Sequence, residues 1–332
     1  MNYSSDFSLL SPQMALNAVE SAFGLKLTGT LMPYVSYVNR VYGITDQDRN
    51  EYVVKFYRPN RWNRQAIEEE HLLLLDCYKS EVPVVTPISN SEGITLHTLR
   101  VDNEDNGVTY FFAVFPKQGG RSFDTDRLED YFRLGSLIGR MHQVSALRPA
   151  HHRLRTTPKG STENFVTDLI KGDIIHPAVK ERFIDIVFSG LDLIKPNFEG
   201  VKLQRIHGDC HRGNILDRVE EGLLIIDFDD MMMGSPVQDL WLLLPDRLDD
   251  SKQEVEEILR GYEQFKSFDR RTLSLIEPLR FMRMVYFLAW SANQRNDYDF
   301  KNVNPFWGSK SFWEQESEDF STQIAVIRRQ GL

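Results

Sequence analysis

Two neighbouring stretches hold the densest set of chemically active side chains: HGDCHRGNIL at residues 207–216 and LLIIDFDD at residues 223–230. Residues 223–226 are wholly apolar, which is typical of a buried strand, and Asp227 follows directly at its end. The first stretch mixes glycine with polar residues, which indicates a loop. We therefore predict a compact block of loops and short strands over residues 203–230.

The first hypothesis for this block is phosphoryl transfer. Such a site needs an aspartate that orients the attacking hydroxyl, and it needs carboxylate and amide oxygens that hold Mg²⁺ against the nucleotide phosphates. Asp209 and Asn214 are separated by four residues, the spacing of the catalytic loop in protein kinases. Asp227-Phe228 resembles their metal-binding Asp-Phe-Gly element, with Asp229 in place of the glycine.

Three other interpretations of the block remain open. His207, Cys210 and His211 could ligate zinc, although three ligands within five positions are crowded. Residues 227–229 also resemble the nucleophile motif of haloacid dehalogenase-type phosphatases, but Met231 stands where that motif has Thr or Val. Finally, the block could be a solvated acidic loop without catalytic function.

Taken as an ordered set, the block resembles a known family. His-Gly-Asp-x-x-x-x-Asn at residues 207–214 is similar to the catalytic loop of the aminoglycoside phosphotransferase and choline kinase superfamily. Within it, the chain most resembles bacterial stress-response Ser/Thr protein kinases. The other similar stretches span most of the chain: SYVNRVY (36–42), VVKFYRP (53–59), EEH (69–71), FFAVFP (111–116), PVQDLW (236–241) and IEPLRFMRMVYFLAW (276–290).

The resemblance implies an α+β, two-lobed fold like that of protein kinases. Strand patterns fall at residues 35–43, 51–57, 94–101 and 108–115, and helix patterns fall at residues 64–79, 126–143, 183–194, 239–244, 253–262, 273–293 and 313–329. PKQGG at residues 116–120 is a linker signal. We predict a small N-lobe, residues 1–116, with an antiparallel sheet and a helix, and a larger, mainly helical C-lobe, residues 117–332.

The resemblance also implies the central residues of the site. Asp209 would be the catalytic base, with Asp227 as the second catalytic residue, and Asn214 and Asp227 would be the Mg²⁺ ligands. Lys55 matches the lysine that contacts the α- and β-phosphates. Its apolar and aromatic flanks indicate an inward-facing ammonium, which needs a partner. We take Glu70 as that partner.

Several assignments have alternatives. The neighbouring Glu68 and Glu69 could replace Glu70 as the partner of that lysine, or all three could form a solvated helix start. Ser36 and Asn39 lie where protein kinases have a glycine-rich loop, and we expect them either to contact nucleotide phosphate or to form a hairpin turn.

Three further positions carry expectations from the family. Phe115 and Lys117 flank the hinge whose backbone would hold adenine. Asp239 matches the aspartate that braces the catalytic loop from behind, although it could equally be a helix N-terminal charge. Asp229 is a further candidate for contact with the metal.

The implied function is an ATP- and Mg²⁺-dependent, non-specific serine/threonine protein kinase that also phosphorylates itself, acting in a bacterial stress response. One alternative is a kinase of small alcohols of the choline, homoserine or aminoglycoside type. A second is a nucleotide-binding module without transfer activity, which the intact set of Lys55, Asp209, Asn214 and Asp227 disfavours.

Composition limits the partners of the chain. Its 332 residues include 39 Lys and Arg against 48 Asp and Glu, a net charge of -9, whereas nucleic-acid binding usually needs the opposite balance. Two cysteines exclude a disulfide scaffold. Residues 1–14 lack the basic start of a signal peptide, and no apolar run approaches a spanning helix. We expect a cytoplasmic monomer without membrane or nucleic-acid partners.

The segment after Asp227 bears on control. Up to Pro236 it contains one hydroxyl, that of Ser235, and no arginine that could bind a phosphate. Added phosphate would be repelled by the neighbouring carboxylates. We therefore expect no activation by phosphorylation here. Autophosphorylation would fall on the N-terminal segment or on the Ser161-Thr162 region.

Overall fold

The computed structural model describes residues 7–36, 38–102, 107–297 and 300–330. Its first part is one five-stranded antiparallel sheet in the order β1-β2-β3-β5-β4, with a helix on either face. The elements are α1 (Pro12–Phe23), β1 (Leu27–Tyr34), β2 (Arg40–Asp46), β3 (Glu51–Phe56), α2 (Arg64–Lys79), β4 (His97–Asp102) and β5 (Gly107–Pro116).

The two faces of the central strand β3 have different functions. Val54 and Phe56 are buried in the core that the sheet forms with α1. Because side chains alternate along a strand, Lys55 points to the opposite face. On that face Tyr57 packs with Ile67 of α2. The alternation therefore directs one lysine of a buried strand towards α2 and away from the apolar core.

The second part is mainly helical and contains the larger core. Its helices are α3 (Leu128–Ser145), α4 (Glu163–Lys171), α5 (Lys180–Ile194), α6 (Val237–Trp241), α7 (Lys252–Tyr262), α8 (Ile276–Gln294), α9 (Phe300–Val303) and α10 (Lys310–Arg329). Its short strands are β6 (Arg121–Ser122), β7 (Gln204–Ile206), β8 (Ile215–Arg218), β9 (Gly222–Ile225) and β10 (Met232–Gly234). They form two small antiparallel sheets, β6-β8-β9 and β10-β7, which carry the block predicted from sequence.

The predicted fold class is confirmed, and so is the helix predicted over residues 64–79, which is α2. The strand predicted over residues 35–43 begins only at Arg40. The sequence patterns do not predict α1, β1 and α4, nor the very short elements β6, β10 and α9. β1 is a largely exposed edge strand that contains Gly29 and Pro33, so it lacks the alternation that identifies a half-buried strand. The lobe boundary after residue 116 stays a prediction.

No helix in the described ranges is long and apolar enough to cross a membrane.

The crossing of α3 and α7 depends on Gly135. A Cβ atom there would lie 1.9 Å from the backbone oxygen of Ile258, so the two helices touch backbone to backbone. Alanine would favour the helix by about 1 kcal/mol. The overlap outweighs this gain because helix backbones cannot shift locally in a packed core.

We predict that Gly135→Ala lowers the free energy of unfolding by about 2 kcal/mol or more, measured by urea denaturation. Gly119→Ala is the matched control, because nothing lies within 4 Å of a Cβ at that position. An unfolding midpoint for Gly135→Ala equal to that of the control would contradict the close crossing.

Candidate active site

The side chain of Lys55 ends among three carboxylates. Its Nζ lies 3.3 Å from Asp227 Oδ1, 3.1 Å from Asp229 Oδ1 and 3.7 Å from Glu70 Oε1. Burial by itself lowers the pKa of this ammonium, but the charges of Glu70 and Asp227 raise it above its ordinary value. Lys55 is therefore held as a cation between α2 and the segment that follows β9.

The three glutamates of α2 have different partners. Glu68 pairs with a neighbouring arginine on the helix surface. Glu69 accepts hydrogen bonds from the backbone amides of residues 151 and 152 at 2.6 and 2.9 Å. Glu70 is the one of the three that faces Lys55 among the described contacts. Its burial opposes ionisation, but Lys55 holds the pKa of the Glu70 carboxyl below its ordinary value.

Asp227 combines a strained backbone with an open side chain. Its φ and ψ of 60° and 67° are left-handed, a conformation that non-glycine residues rarely adopt. The side chain is 56% exposed. Desolvation in the site opposes ionisation, but the ammonium of Lys55 keeps the pKa of Asp227 below its ordinary value. The site therefore presents a charged, accessible carboxylate beside Lys55.

Asp209 lies in the loop between β7 and β8. Arg283 Nη2 donates to its Oδ1 at 2.6 Å, and His211 Nε2 lies 3.4 Å from its Oδ2. Burial by itself raises the pKa of this carboxyl. The hydrogen bond from His211 and the charge of Arg283 outweigh burial, so the pKa of Asp209 lies well below its ordinary value.

Asn214 connects the two stretches of the block. Its side-chain Nδ2 donates to the backbone oxygen of Asp209 at 2.9 Å, and its backbone oxygen accepts from the amide of Ile226 at 2.9 Å. Because the amide nitrogen is used in this way, the side-chain oxygen is the atom that Asn214 can offer to a cation. Asp227 follows Ile226 directly, so both predicted metal ligands belong to one bonded unit.

Asp239 holds the Asp209 loop from behind. It is fully buried, and its two oxygens accept from the backbone amides of His207 at 2.7 Å and Gly208 at 2.9 Å. His142 Nε2 lies 2.9 Å from Asp239 Oδ2. Gly208 has a φ of 86°, and a Cβ there would lie 2.2 Å from a backbone oxygen of the neighbouring segment. The buried carboxylate therefore fixes the tight turn that precedes Asp209.

Ser36 and Asn39 make turn contacts. The Oγ of Ser36 accepts from the backbone amide of Asn39 at 3.3 Å, and Oδ1 of Asn39 accepts from the backbone amide of Arg58 at 3.0 Å. These bonds explain why the strand begins only at Arg40. The hairpin-turn alternative is thus present for the side chain of Ser36, whereas that of Asn39 contacts the segment after β3. A phosphate contact stays a prediction for both residues.

Phe115 and Lys117 lie at the end of β5. Phe115 pairs with Val53 of β3 and is half-buried. The backbone amide of Lys117 donates to the backbone oxygen of Glu51 at 3.0 Å, and its Nζ lies 2.7 Å from Glu51 Oε1. These contacts fix the strand end at the expected hinge, where the adenine contact stays a prediction.

Three arginines of the site were not found from sequence. Arg61 is ion-paired with Asp229 and also with Asp230, whose Oδ1 lies 2.6 Å from its Nη2. Arg153 lies 2.7 Å from Glu70, and Arg283 contacts the catalytic-base candidate as described above. Each arginine lies far from its partner along the chain. No short sequence pattern therefore predicts these pairs. The only signal was that Arg283 falls in the family-like stretch 276–290.

The zinc hypothesis is wrong. His207 Nε2 lies 2.9 Å from the backbone oxygen of Ile226, and its Nδ1 lies 3.3 Å from the amide of Asp209, so neither ring nitrogen is open to a metal. Cys210 is buried, which raises the pKa of its thiol. Within the described part of the chain, no group of three or more His, Cys, Asp or Glu side chains could hold a metal ion.

A magnesium ion needs fewer protein ligands than a structural zinc ion. Mg²⁺ binds through one or two protein oxygens and completes its octahedron with water and substrate phosphates. The exposed carboxylate of Asp227 and the side-chain oxygen of Asn214 fit this pattern. Both predicted ligands therefore suit a cation that arrives with a nucleotide.

Two adjacent cavities lie beside the ionic cluster. The larger has a volume of about 220 Å³ and is lined from both parts of the chain, including Trp62, Phe165 and Trp290. The smaller, about 40 Å³, reaches Gly208 and Arg283. The two cavities share four lining residues: Leu154, Phe165, Met232 and Tyr286. An acceptor molecule could therefore extend from the Asp209 loop into an aromatic-lined space.

Comparison with known proteins agrees with this geometry. Residues 33–276 match the profile of the phosphotransferase enzyme family. The chain is 34% identical to stress response kinase A of Escherichia coli (strain K12), over 98% of this chain and 96% of that protein. It is 33% identical, with the same coverage, to serine/threonine protein kinase RdoA of Salmonella typhimurium (strain LT2).

A solved structure supports the fold. A microcompartment-associated aminopropanol kinase has a TM-score of 0.69 at 19% identity, covering 96% of this chain and 97% of that one. These similarities, together with the engaged state of Asp229, leave the phosphatase interpretation without support.

The predicted autophosphorylation sites need one correction. Ser161 and Thr162 are buried, and the Oγ of Ser161 donates to the backbone oxygen of Thr157 at 2.9 Å. Their hydroxyls are closed to another protein molecule, so we withdraw this region as an acceptor. The N-terminal serines Ser4 and Ser5 lie outside the described residues and stay candidates.

We predict that Ser235 carries no regulatory phosphate, because the residue is only 2% exposed and the segment before it is acidic in sequence. After incubation with ATP, phosphosite mapping should find Ser235 unmodified. Ser235→Ala and phosphatase-treated protein should transfer phosphate within twofold of the untreated rate. Treated protein that is inactive and recovers only when Ser235 is phosphorylated would contradict this.

Proposed function

The chain belongs to the phosphotransferase enzyme family, and on that basis we propose that it transfers the γ-phosphate of ATP to Ser and Thr hydroxyls of proteins, its own included. The observation that carries the proposal is the meeting of Lys55 with Asp227 and Glu70 beside the Asp209 loop. The acceptor class and a part in a bacterial stress response are supported by the names of the two relatives.

Lys55 and the metal ligands bind different parts of the Mg·ATP complex. Lys55 binds phosphate oxygens, and Glu70 keeps its ammonium charged and aimed into the cleft. Asp227 and Asn214 hold Mg²⁺, which when bound neutralises charge on the phosphates. Ser36, Asn39 and the strand end at residues 115–117 complete the binding site through their backbone and polar groups.

Asp209 orients the acceptor hydroxyl and takes its proton late in the transfer. Its depressed pKa makes it a weak base at neutral pH, so its main contribution is alignment of the hydroxyl with the phosphorus. Arg283 restrains the carboxylate at 2.6 Å and His211 lies beside it at 3.4 Å. Asp239 keeps the loop that carries Asp209 in place.

The charges around the larger cavity favour a neutral acceptor. Asp230 is the only carboxylate among the described residues that line it, and it is engaged by Arg61 and by the hydroxyl of Tyr286 at 2.8 Å. A polycationic alcohol such as an aminoglycoside needs free carboxylates. A Ser or Thr side chain on a peptide carries no such requirement, so the lining supports a protein acceptor. We further propose that the enzyme works as a monomer.

A small alcohol is the second candidate acceptor. The cavity of about 220 Å³ would enclose such a molecule, and the aminopropanol kinase has a similar fold. Like the first candidate, it uses Asp209 and Asp227 unchanged. The two functions therefore differ only in what enters the cavity, and a transfer assay separates them.

We predict that purified protein with labelled ATP and Mg²⁺ puts label into itself and into a generic protein substrate. Asp209→Asn should keep its ATP affinity and lose about 10²- to 10⁴-fold in rate, because the neutral amide neither aligns the hydroxyl as the carboxylate does nor accepts its proton. Asp185→Asn, an exposed position on α5, is the matched control and should transfer normally.

Each other result has a meaning. Label found only in small alcohols such as aminopropanol or choline would establish the second candidate. Nucleotide binding without any turnover would indicate a binding module. Near-normal transfer by correctly folded Asp209→Asn would overturn the assignment of Asp209.

A further inference from the structure

We propose that Arg153 is a positioning residue for phosphoryl transfer, acting through Glu70. The inference rests on the proposed function. Arg153 lies in the segment between α3 and α4, and its side chain is completely buried. A buried guanidinium must satisfy its charge and its donors with fixed partners, so its contacts define a rigid geometry.

The guanidinium of Arg153 joins helix α2 to the segment that follows Asp227. Its Nη2 donates to Glu70 Oε2, its Nη1 to the backbone oxygen of Asp229, and its Nε to the backbone oxygen of Ala66, each at 2.7 Å. Its central carbon lies 4.3 Å from the ring centre of Trp62. One planar group thus bridges α2 and the segment that follows Asp227.

This arrangement decides which oxygen of Glu70 serves the lysine. Because Arg153 occupies Oε2, Oε1 remains for Lys55 at 3.7 Å and for the hydroxyl of Tyr57 at 3.4 Å. The same guanidinium holds the backbone two residues after Asp227. Arg153 therefore fixes the Glu70 carboxylate and the backbone after Asp227, which lie on either side of the Lys55 ammonium. It does so without contacting the lysine itself.

Other contacts of α2 also attach this helix to the C-terminal part of the chain. Glu69 accepts from the backbone of residues 151 and 152, and Asp76 pairs with Arg148 at 3.0 Å and with Arg205 at 3.1 Å. Three carboxylates of α2 are thus tied to residues of the C-terminal part. In protein kinases, phosphorylation controls the position of the corresponding helix. Here buried side chains hold it. Asp76 keeps its pair with the buried Arg205 when the half-exposed Arg148 is removed. Of these arginines, Arg153 is the one that also contacts the segment after Asp227.

The test is a double-mutant cycle of Arg153→Met with Glu70→Gln, with Arg153→Lys as the variant that keeps the buried charge. Arg148→Met is the matched control: it removes another arginine that pairs with α2 but does not contact the site. Rates and KM for Mg·ATP are measured for transfer, and affinity for Mg·AMP-PNP is measured separately. Affinity for Mg·AMP-PNP can be measured without turnover, so the coupling between Arg153 and Glu70 can be tested even if no phosphate is transferred. A wild type that binds the nucleotide but never transfers phosphate would show that the proposed function, and not this inference, has failed.

We expect Arg153→Met and Arg153→Lys to lose at least tenfold in kcat, and Arg148→Met to stay within twofold of the wild type. In the Glu70→Gln background, Arg153→Met should change kcat and nucleotide affinity by less than threefold, because the Glu70 carboxylate through which Arg153 acts is already absent. A lysine cannot make the three directed bonds, so retention of charge should not rescue the rate.

Other outcomes overturn the inference. Full additivity of the two substitutions, in rate or in Mg·AMP-PNP affinity, would mean that Arg153 does not act through Glu70. A folded Arg153 variant with unchanged kcat, or failure of both Arg153 variants to fold while Glu70→Gln folds, would make Arg153 a purely structural residue.

Discussion

The active site depends on one buried ammonium, that of Lys55. Removing such a charge from water is unfavourable unless carboxylates surround it, so the fold must bring acids to it from distant segments. The resulting cluster contains four carboxylates and three cations: Glu70, Asp227, Asp229 and Asp230 against Lys55, Arg61 and Arg153. The carboxylates of this cluster therefore outnumber its cations by one, and a divalent cation would complement that excess negative charge.

The sequence predicts the parts of the site whose chemistry fixes a local spacing. Asp209 and Asn214 stand in one loop, and Asp227 follows a buried strand, so a pattern can find them. The arginines leave no such pattern: Arg61 and Asp229 are 168 residues apart, and Arg283 and Asp209 are 74 apart. The sequence also does not predict the direction of a side chain. For Asn39 it left a phosphate contact and a hairpin turn open, and in the structure its Oδ1 accepts from the backbone amide of Arg58 after β3.

The same contrast holds for the fold. The bounds of α2 could be predicted because one face of the helix is buried and the other meets solvent. On the buried face Ile67 packs under the sheet, and Leu73, Leu74 and Cys77 belong to the larger core. The edge strand β1 buries little and shows no alternation, so only its pairing with β2 defines it. Arg61 and Arg153 already contact the segment after Asp227 in the folded chain. We therefore expect that this segment needs no phosphate to order it.

The central claim is that Asp227 and Lys55 form a Mg²⁺·ATP site, and calorimetric titration with AMP-PNP, with and without Mg²⁺, tests it most directly. The account predicts that the wild type and Asp185→Asn bind the nucleotide more tightly with Mg²⁺. Folded Asp227→Ala should lose that metal-dependent gain, because the exposed carboxylate that would meet the ion is gone. An unchanged gain in Asp227→Ala, or a covalent aspartyl-phosphate trapped from a phosphomonoester on wild-type Asp227, would contradict it.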